Sequence, residues 1–508
     1  MVSLVYSAGL TGIQGYIVTV ECFFSNGLPR LDLVGLPGKA VAEAGERVRA
    51  AIQCTGFEWP VARITINLAP ADVRKEGPVY DLPILLAILA ASGQIQPPAQ
   101  TDLFLGEVSL TGALRPISGA LSMALAARDA GFRRVYVPAG NAAEAAYATG
   151  VEVYAVETFS QLINHLEHGE RLPVCAPPTP SDTPQDALDF CHVLGQQTVK
   201  RALEIAAAGG HNVLLCGPPG SGKSMMAKRF SGILPPLDPA ERLEVIRIWS
   251  AVGQGAQAAQ MAGRPVRSPH HTTSAQALAG GTGKAGRLPQ PGEISLAHNG
   301  VLFLDEFPEF RSDALEVLRQ PLEDGVVSIS RAVGRVSYPA RFQLIAAMNP
   351  CKCGWYGTPR CTCTPQAVRQ YIRRLSGPLL DRIDLQVAVQ PVPYAALAGR
   401  TARSEEEHSA VIRERVLTAR ARQRDRLSGL GLHTNAQIPP AHIGELCPVD
   451  AAGQNMLESA FERLGLTARA YDRLLRVART IADLDGADTL GASHIAEALS
   501  YRTIDRLR

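Results

Sequence analysis

The chain has 508 residues, of which 46% are hydrophobic and 19% charged, and its 50 Lys and Arg against 48 Asp and Glu give a formal net charge of +2. This length predicts about three domains. The balanced charge excludes a chain that is strongly basic or acidic throughout, although a local basic stripe is compatible with it.

The sequence has no apolar stretch of about 18 residues and no basic-then-apolar segment at its start, so we expect no membrane span and no secretion signal. We therefore expect a cytoplasmic protein. In that compartment the ten cysteines should be mostly reduced thiols or metal ligands.

Two changes in composition divide the chain. Residues 172–186 (LPVCAPPTPSDTPQD) are rich in Pro, Ser, Thr and Asp, which is typical of a linker. Near residues 390–393 (QPVP) the sequence becomes helical and strongly charged. Before the linker, strand patterns alternate with Ala-rich helical patterns, which predicts an α/β or α+β domain. The predicted segments are an N-terminal domain at 1–168, a linker at 169–187, a phosphate-loop module at 188–392 and a helical domain at 393–508.

Residues 213–224 (VLLCGPPGSGKS) predict a buried strand that ends in a glycine-rich loop, and residues 225–230 (MMAKRF) predict the opening of a helix. The loop matches G-x-x-x-x-G-K-S/T, which binds nucleotide phosphates through backbone amides and the helix N-terminus. Because strand, loop and helix occur in the required order, we favour a nucleotide site over a glycine-rich turn that binds nothing. The loop residues are Gly217, Pro218, Pro219, Gly220, Ser221, Gly222, Lys223 and Ser224.

In such a loop Lys223 would reach the β- and γ-phosphates, and the Ser224 hydroxyl would ligand Mg²⁺. Residues 301–306 (VLFLDE) predict a strand buried on both faces, with two carboxylates at the end where parallel sheets bind ligands. We expect Asp305 to hold Mg²⁺ through water and Glu306 to polarise the hydrolytic water. A core strand followed by an acidic turn is the alternative.

Two further polar residues follow apolar segments. Asn349 ends a third strand-like segment, residues 342–348 (FQLIAAM), and its amide could bond the attacking water or the γ-phosphate. Arg382 follows an apolar pair and is flanked by acids in SGPLLDRID. On this spacing alone, Arg382 could equally form a surface salt bridge.

The ordered set of these motifs resembles the AAA+ ATPases of the magnesium-chelatase branch. More narrowly, the segments GEISLAHNGVLFLDEFPEF, LRQPLEDGVVSISRA, AAMNPCKCGWYG and SGPLLDRIDL are similar to the ComM/YifB family, and the resemblance covers essentially the whole chain. It implies three parts: an N-terminal domain with the fold of the Lon protease domain and ribosomal S5 domain 2, an AAA+ P-loop α/β core and a C-terminal helical lid.

The resemblance also assigns roles to single residues. Asn349 is then the sensor-1 residue, Arg382 is the arginine finger that reaches the neighbouring subunit's γ-phosphate, and Arg469 is the sensor-2 arginine of the lid. A trans arginine stabilises transition-state charge only when subunits are assembled. The family therefore implies a homo-oligomeric ring, with a hexamer as the expected size.

Two segments are the expected DNA contacts by the same resemblance. Residues 279–287 (AGGTGKAGR), with Lys284 and Arg287, correspond to an insert that points into the ring's pore. The segment VVSISRAVGRVSY alternates apolar and polar residues as a β-hairpin does, with Arg331 and Arg335 near its tip. Such cations would contact phosphates, which carry no sequence information, as a motor on arbitrary DNA requires. A solvated loop and an exposed hairpin remain the alternatives.

Four cysteines form two C-x-C pairs that flank the seven residues GWYGTPR. They predict a closed tetrahedral Zn²⁺ site, although C-x-C is tighter than the usual ligand spacing, and free thiols are the alternative. His270 and His271 lie outside this cluster, and we expect structural hydrogen bonds from them. The cysteines are Cys351, Cys353, Cys361 and Cys363.

The N-terminal domain lacks the residues of a Lon-type protease. In Lon-like proteases the catalytic serine follows K-D-G-P, whereas here KEGP at 75–78 is followed by Val79. Leu121 stands where the catalytic lysine would align. A serine-lysine mechanism is therefore not available, and we expect a role in assembly or DNA contact.

The motif spacing predicts an ATP hydrolase that uses Mg²⁺. The resemblance adds the expectation of a ring motor on single-stranded and branched DNA that promotes branch migration during homologous recombination, in natural transformation. A magnesium-chelatase motor subunit and a protein-remodelling AAA+ ATPase are the alternatives, since both share the whole nucleotide site.

Overall fold

The computed structural model describes residues 2–179, 188–281, 288–331, 334–391, 406–464 and 466–502. Lys284 and Arg287 lie outside these residues. The fold is mixed α/β, with a sheet-based N-terminal region, a parallel-sheet core and C-terminal helices. Among the helices of the described residues, none combines the length and the apolar character needed to cross a membrane.

A mixed sheet organises the N-terminal region. The strands of this region are β1 (Val2–Thr11), β2 (Gln14–Ser25), β3 (Arg30–Val34), β4 (Arg63–Ala69), β5 (Asp102–Phe104), β6 (Glu107–Val108), β7 (Leu114–Arg115), β8 (Arg134–Pro138) and β9 (Glu152–Val156). Seven of them form one sheet in the order β3-β4-β2-β1-β5-β8-β9. The two longest strands, β1 and β2, are joined by a tight turn in which Gly12 has a φ of 63°, which glycine adopts without steric cost.

The N-terminal helices are α1 (Lys39–Ala42), α2 (Ala44–Cys54), α3 (Asp81–Ala91), α4 (Ala120–Asp129), α5 (Ala142–Ala145) and α6 (Phe159–Glu167). All 11 residues of α3 are buried, and it packs across β1 and β2. A helix that is apolar on every side has to be enclosed. Helix α3 therefore lies at the centre of the N-terminal core.

The central part of the chain contributes a second sheet. Its strands and those near it are β10 (Val213–Cys216), β11 (Val266–Arg267), β12 (Gly280–Gly281), β13 (Gln290–Pro291), β14 (Val301–Leu304), β15 (Val326–Arg331), β16 (Gly334–Pro339), β17 (Gln343–Met348) and β18 (Leu385–Ala388). Five of them form a parallel sheet in the order β11-β14-β17-β10-β18. The carboxyl ends of β10, β14 and β17 meet at one edge of this sheet, which brings three sequence motifs together.

Ten helices of the described core surround this sheet: α7 (Gln197–Gly209), α8 (Lys223–Arg229), α9 (Pro239–Ala251), α10 (Gly255–Gln260), α11 (Ala275–Ala279), α12 (Glu293–Leu296), α13 (Ser312–Glu316), α14 (Arg319–Asp324), α15 (Pro365–Ile372) and α16 (Gly377–Leu380). Trp249 and Ile246 of α9 belong to the same hydrophobic core as the N-terminal sheet. The Gly119 amide donates to the Ser250 carbonyl at 2.8 Å. Helices α9 and α10 therefore fasten the parallel-sheet core to the N-terminal region.

The C-terminal helices are α17 (Ser409–Leu427), α18 (Ile443–Leu446), α19 (Ala451–Leu464), α20 (Ala468–Asp485) and α21 (Ala492–Ser500). A buried carboxylate, Asp483, joins three parts of this region. It accepts hydrogen bonds from Arg426 at 2.6 and 2.9 Å, from Arg479 at 2.9 Å and from Asn435 at 2.8 Å. The side chain of Asp483 is 1% exposed, so these partners replace the water that it has lost.

Replacing Asp483 by Asn should lower the free energy of unfolding by about 3–5 kcal/mol, because it leaves buried guanidinium groups without their counter-ion. Asp485→Asn is the matched control: Asp485 lies on the same helix, is 46% exposed, and pairs with Arg201 at 3.1 Å. An exposed pair contributes about 0–1 kcal/mol. Denaturant unfolding of the full chain measures both, and equal losses would contradict the assignment.

Candidate functional site

The phosphate loop lies between β10 and α8, at the carboxyl edge of the parallel sheet. Gly220 and Gly222 have φ values of 76° and 89°, a region that other residues enter only with strain. Among the described residues, neither glycine amide donates a hydrogen bond to the protein. The first amides of α8 also lack acceptors within the helix. This set of free amides fits a phosphate group.

Gly217 shows why the loop starts with glycine. A side-chain carbon there would lie 2.4 Å from the Val389 carbonyl oxygen, closer than atoms can approach. The Gly217 amide donates to the Met348 carbonyl at 3.2 Å, and Ser221 Oγ donates to the Pro218 carbonyl at 2.8 Å. The loop is thus held against β17 and β18 in a fixed shape.

The Lys223 ammonium is buried beneath this loop. It donates to the carbonyls of Gly217 at 2.8 Å and Pro218 at 2.9 Å, and to Asn349 Oδ1 at 3.1 Å. Desolvation lowers the pKa of Lys223, and the charge of Asp305 opposes that shift. Lys223 therefore joins the phosphate loop to the residue that follows β17.

Ser224 and Asp305 meet directly. Ser224 Oγ donates to Asp305 Oδ2 at 2.5 Å. A hydroxyl and a carboxylate oxygen are hard donors of the kind that Mg²⁺ prefers. The two residues therefore fit a shared Mg²⁺, with Ser224 from the loop and Asp305 from the end of β14.

Glu306 follows Asp305 in a left-handed backbone conformation with a φ of 51°. Its side chain is 56% exposed, and its Oε2 lies 2.9 Å from Nδ1 of His271. We expected only structural hydrogen bonds from His270 and His271, and this holds for His270, which bonds Thr272 at 3.0 Å. His271 instead lies beside the residue expected to polarise the hydrolytic water, a contact between segments far apart in the chain that local sequence pattern does not reveal.

Arg382 and Arg469 meet at a third residue, Glu323 of α14. The side chain of Arg382 is 9% exposed; it donates to Glu323 and to the Pro378 carbonyl, the latter at 2.7 Å. Arg469 lies 3.6 Å from the other oxygen of Glu323. Arg382 lowers the pKa of Glu323 through this contact. Within the described part of the chain, no hydrogen bond or ion pair joins either arginine to the phosphate loop.

The four cysteines converge. The sulfur of Cys351 lies 3.3 Å from that of Cys353 and 4.0 Å from that of Cys361, and the last two are 3.7 Å apart. All four sulfurs, with Cys363, lie within 4.8 Å of one another. A tetrahedral zinc with bonds of about 2.3 Å separates its sulfurs by about 3.8 Å. The donor set therefore fits Zn²⁺ by type and by spacing.

This cysteine segment also packs on the phosphate loop. A side-chain carbon at Gly354, whose φ is 86°, would lie 2.6 Å from Pro219 and 3.8 Å from Asn349. Backbone amides of Trp355 and Thr362 hold the pKa of the Cys353 thiol at about 6. The sequence placed the cysteines just after Asn349, but only the fold brings them against Pro219.

Strands β15 and β16 form an antiparallel hairpin in which Arg331 pairs with Gly334 and Ser330 with Arg335. Both arginines are exposed. Because paired residues share a face of the hairpin, Arg331 and Arg335 project from opposite faces. The base of the hairpin is fixed by Tyr338, whose hydroxyl donates to the Pro289 carbonyl beside β13.

In the N-terminal region the two positions that would hold protease residues carry buried aliphatic side chains, Val79 and Leu121. Lys75, four residues before Val79, is also buried, and its ammonium donates to the carbonyls of Pro70 and Val73. Each position is occupied by a group used for packing or for backbone hydrogen bonds. The absence of a serine-lysine mechanism stays a prediction from the sequence.

Family models match three parts of the chain. Magnesium chelatase, subunit ChlI, matches residues 189–397. Subunit ChlI of Mg-chelatase matches residues 20–141, and the ChlI C-terminal model matches residues 406–502. The matched parts include the phosphate loop, both carboxylates and the C-terminal helices.

Relatives match over the full length. The chain is 45% identical to the uncharacterized protein YifB of Escherichia coli, over 99% of this chain and 98% of that protein. It is 43% identical to the competence protein ComM of Haemophilus influenzae, with the same coverage. The magnesium-chelatase 38 kDa subunit of Rhodobacter capsulatus is 25% identical over 63% of this chain. The chain therefore belongs to the ComM/YifB family of magnesium-chelatase-like AAA+ proteins.

Proposed function

We propose that this protein is an Mg²⁺-ATP-driven ring motor that acts on single-stranded and branched DNA and promotes branch migration during homologous recombination, in the setting of natural transformation. The observation that carries the proposal is the nucleotide site around Lys223, Ser224 and Asp305, in a chain 43% identical over its length to a competence protein. Family membership supports ATP use.

ATP would supply the phosphate charge that this site is built to bind. When ATP binds, the Lys223 ammonium would leave its backbone carbonyl partners and bind phosphate oxygens. Its contact with Asn349 would then couple this change to the end of β17. Ser224 and Asp305 would hold Mg²⁺ between them, and Glu306 would take a proton from the attacking water. Each of these groups is placed at the same edge of the parallel sheet.

The positions of Arg382 and Arg469 support assembly into a homo-oligomeric ring. Six subunits is the proposed number. Arg382 and Arg469 are held together at Glu323 in the described structure, away from contact with their own phosphate loop. An arginine that does not contact its own phosphate loop can neutralise transition-state charge in a neighbouring subunit once it leaves Glu323. We therefore assign Arg382 to the trans position and Arg469 to the sensor-2 position of the lid.

DNA contact is assigned to the exposed arginines of the hairpin, Arg331 and Arg335, and to Lys284 and Arg287 outside the described residues. The projection of Arg331 and Arg335 from opposite faces suits a strand that passes between hairpins of adjacent subunits. Such contacts are made to phosphates and read no sequence. A motor that moves along arbitrary DNA needs contacts of this kind.

A second role is proposed for the four cysteines, as a Zn²⁺ knuckle that stiffens the link between Asn349 and the Arg382 segment. The sulfur distances and the packing of Gly354 on Pro219 support it. Zinc here would be structural and closed, with no open coordination position.

The rival functions are a chelatase motor subunit that inserts Mg²⁺ into a porphyrin and an ATPase that remodels proteins. Both share the nucleotide site, but neither requires affinity for DNA. Binding of a short single-stranded oligonucleotide at several salt concentrations distinguishes the DNA motor from its two rivals. Only a DNA motor should bind the oligonucleotide with an affinity that falls steeply as the salt concentration rises. Affinity that is absent at low salt would favour a rival.

Glu306→Gln should lower ATP turnover about a hundredfold or more while leaving ATP binding intact, because the amide cannot accept the proton of the attacking water. Lys223→Ala should lose ATP binding itself. Lys228→Ala, an exposed lysine on the same helix, is the control and should keep wild-type turnover. Turnover that survives in Glu306→Gln would remove Glu306 from the mechanism.

Removing Arg331 and Arg335 together should weaken DNA binding and reduce its salt dependence, by about 0.7 in the log–log slope for each lost phosphate contact on a single strand. Turnover without DNA should stay unchanged. Arg311→Ala is a matched control, since Arg311 is 73% exposed and pairs with Asp313 away from the hairpin. An unchanged slope in the double variant would exclude the hairpin as a DNA contact.

Purified wild-type protein should contain about one zinc per chain by metal analysis, because four thiolates complete one tetrahedral site. The variant with Cys351→Ser and Cys353→Ser should contain none. Cys54→Ser alters an exposed cysteine outside the cluster and should keep the metal. Equal zinc in the wild type and the double variant would show that the cluster does not bind it.

A further inference from the structure

We propose that the cysteine segment, residues 351–363, and helix α15 form a second contact surface for single-stranded DNA, separate from the hairpin arginines. The inference rests on the proposed function, because it adds a surface to the same DNA motor. Three observations carry it: a long stretch of chain without acids, an exposed aromatic ring beside exposed cations, and a helix whose exposed face carries arginines.

The charge of this part of the chain is strongly one-sided. Residues 325–380, from the hairpin to α16, contain eight Arg and Lys residues and no Asp or Glu. At the frequency of acids in the whole chain, 48 in 508, about five would be expected in a stretch of this length. A local excess of positive charge in a chain that is otherwise balanced is typical of a surface that binds a polyanion.

The cations of the cysteine segment and α15 are open to solvent. Four of them have exposed side chains: Lys352, Arg360, Arg369 and Arg373. Within the described part of the chain, none of these four forms an ion pair with an acid, whereas the next residue, Arg374, pairs with Glu309 at 3.1 Å. A cation without an internal counter-ion gives up no salt bridge when it binds a phosphate, so these four suit that role.

Two aromatic rings lie among these cations. Tyr356 is 41% exposed, and the guanidinium of Arg360 lies 5.1 Å from the centre of the Trp355 ring. Backbone hydrogen bonds fold the segment, since the Thr358 amide donates to the Trp355 carbonyl at 3.0 Å and the Cys361 amide to the Thr358 carbonyl at 3.1 Å. Bases stack on exposed rings while cations bind the phosphates between them. The arrangement therefore fits a single strand, whose bases are unpaired.

Helix α15 adds two cations in a regular arrangement. Its buried residues are Val368, Tyr371 and Ile372. Arg369 and Arg373, the residue that caps the helix, are exposed and lie four positions apart. Residues with this spacing are neighbours on one side of a helix. Both guanidinium groups are therefore available to the phosphates of one strand.

This surface lies on the same side of the parallel sheet as the hairpin. Ile329 of the hairpin and Tyr371 of α15 belong to one hydrophobic cluster, to which Leu214 of β10 also contributes. Val213, the preceding residue of β10, belongs instead to the cluster that includes the C-terminal helices. Successive residues of a strand point to opposite faces of the sheet. The hairpin and α15 thus share one face, and the C-terminal helices cover the other.

A neighbouring subunit of the ring is the alternative partner for these cations. The exposed ring of Tyr356 favours nucleic acid, because every base offers a face on which such a ring can stack. The tests below therefore measure assembly as well as affinity for DNA.

The first test measures the affinity of the full-length protein for a short single-stranded oligonucleotide. Tyr356→Ala should weaken binding about tenfold, because it removes a stacking ring. Tyr356→Phe keeps the ring and should retain the wild-type affinity. An abasic oligonucleotide has the phosphates but no bases to stack, so it should bind the wild type and Tyr356→Ala equally. Unchanged affinity of Tyr356→Ala for the oligonucleotide with bases would overturn the stacking role.

The second test measures how the same affinity depends on salt. Replacing Arg369 and Arg373 together by Ala should reduce the log–log slope by about 0.7 for each lost phosphate contact. Replacing both by Lys keeps the two charges and should keep the wild-type slope. A slope that is the same in the alanine variant and the wild type would overturn the assignment of α15.

The inference and the proposed function fail in different ways. A wild type that binds no oligonucleotide defeats both. If the wild type binds, and only variants of the hairpin weaken binding, the second surface is overturned and the DNA motor stands. The mass of the assembled ring, measured by light scattering, should be the same in every variant. A loss of affinity that is accompanied by a loss of assembly would show a subunit contact instead and would also overturn the inference.

Discussion

The Lys223 ammonium occupies a buried position from which it bonds two carbonyls of its own loop and the side chain that ends β17. A buried cation of this kind must have every donor satisfied, or the desolvation cost destabilises the site. These partners follow two neighbouring strands, β10 and β17. A change in the shape of the phosphate loop therefore also affects the end of β17. Asp305 and the cysteine segment both contact this loop, through Ser224 and Pro219 respectively.

Three connections lead outward from the phosphate loop. Ser224 donates a hydrogen bond to Asp305, which follows β14. Pro219 packs against Gly354, which belongs to the cysteine segment. Glu306, next to Asp305, lies with its Oε2 2.9 Å from Nδ1 of His271, which precedes α11. Each is a single contact between groups that belong to different elements of the fold.

Local sequence pattern predicted much of the nucleotide site. The run of apolar residues before each polar group predicted buried parallel strands, and the strands β10, β14 and β17 are buried along almost all of their length. The alternating pattern likewise predicted the hairpin of β15 and β16. These features depend on residues that are close in the chain.

Contacts set by the order of strands could not be predicted in the same way. His271 follows β11, and Glu306 follows β14; the two meet because β11 lies beside β14 in the sheet. Glu323 gathers Arg382 and Arg469 from segments far apart in the chain. The packing of α9 and α10 on the N-terminal region also depends on the tertiary fold, because these helices lie far in the chain from the residues that they contact.

If the protein is the motor that we propose, ATP hydrolysis at this site moves a DNA branch point. The most direct test is branch migration on a labelled three-strand junction with Mg²⁺ and ATP, with Glu306→Gln protein as the inactive control. We expect displaced strand from the wild type and none from the variant. Wild-type protein that hydrolyses ATP at a rate indifferent to DNA and displaces no strand would contradict it, and would favour a chelatase-like or protein-remodelling motor.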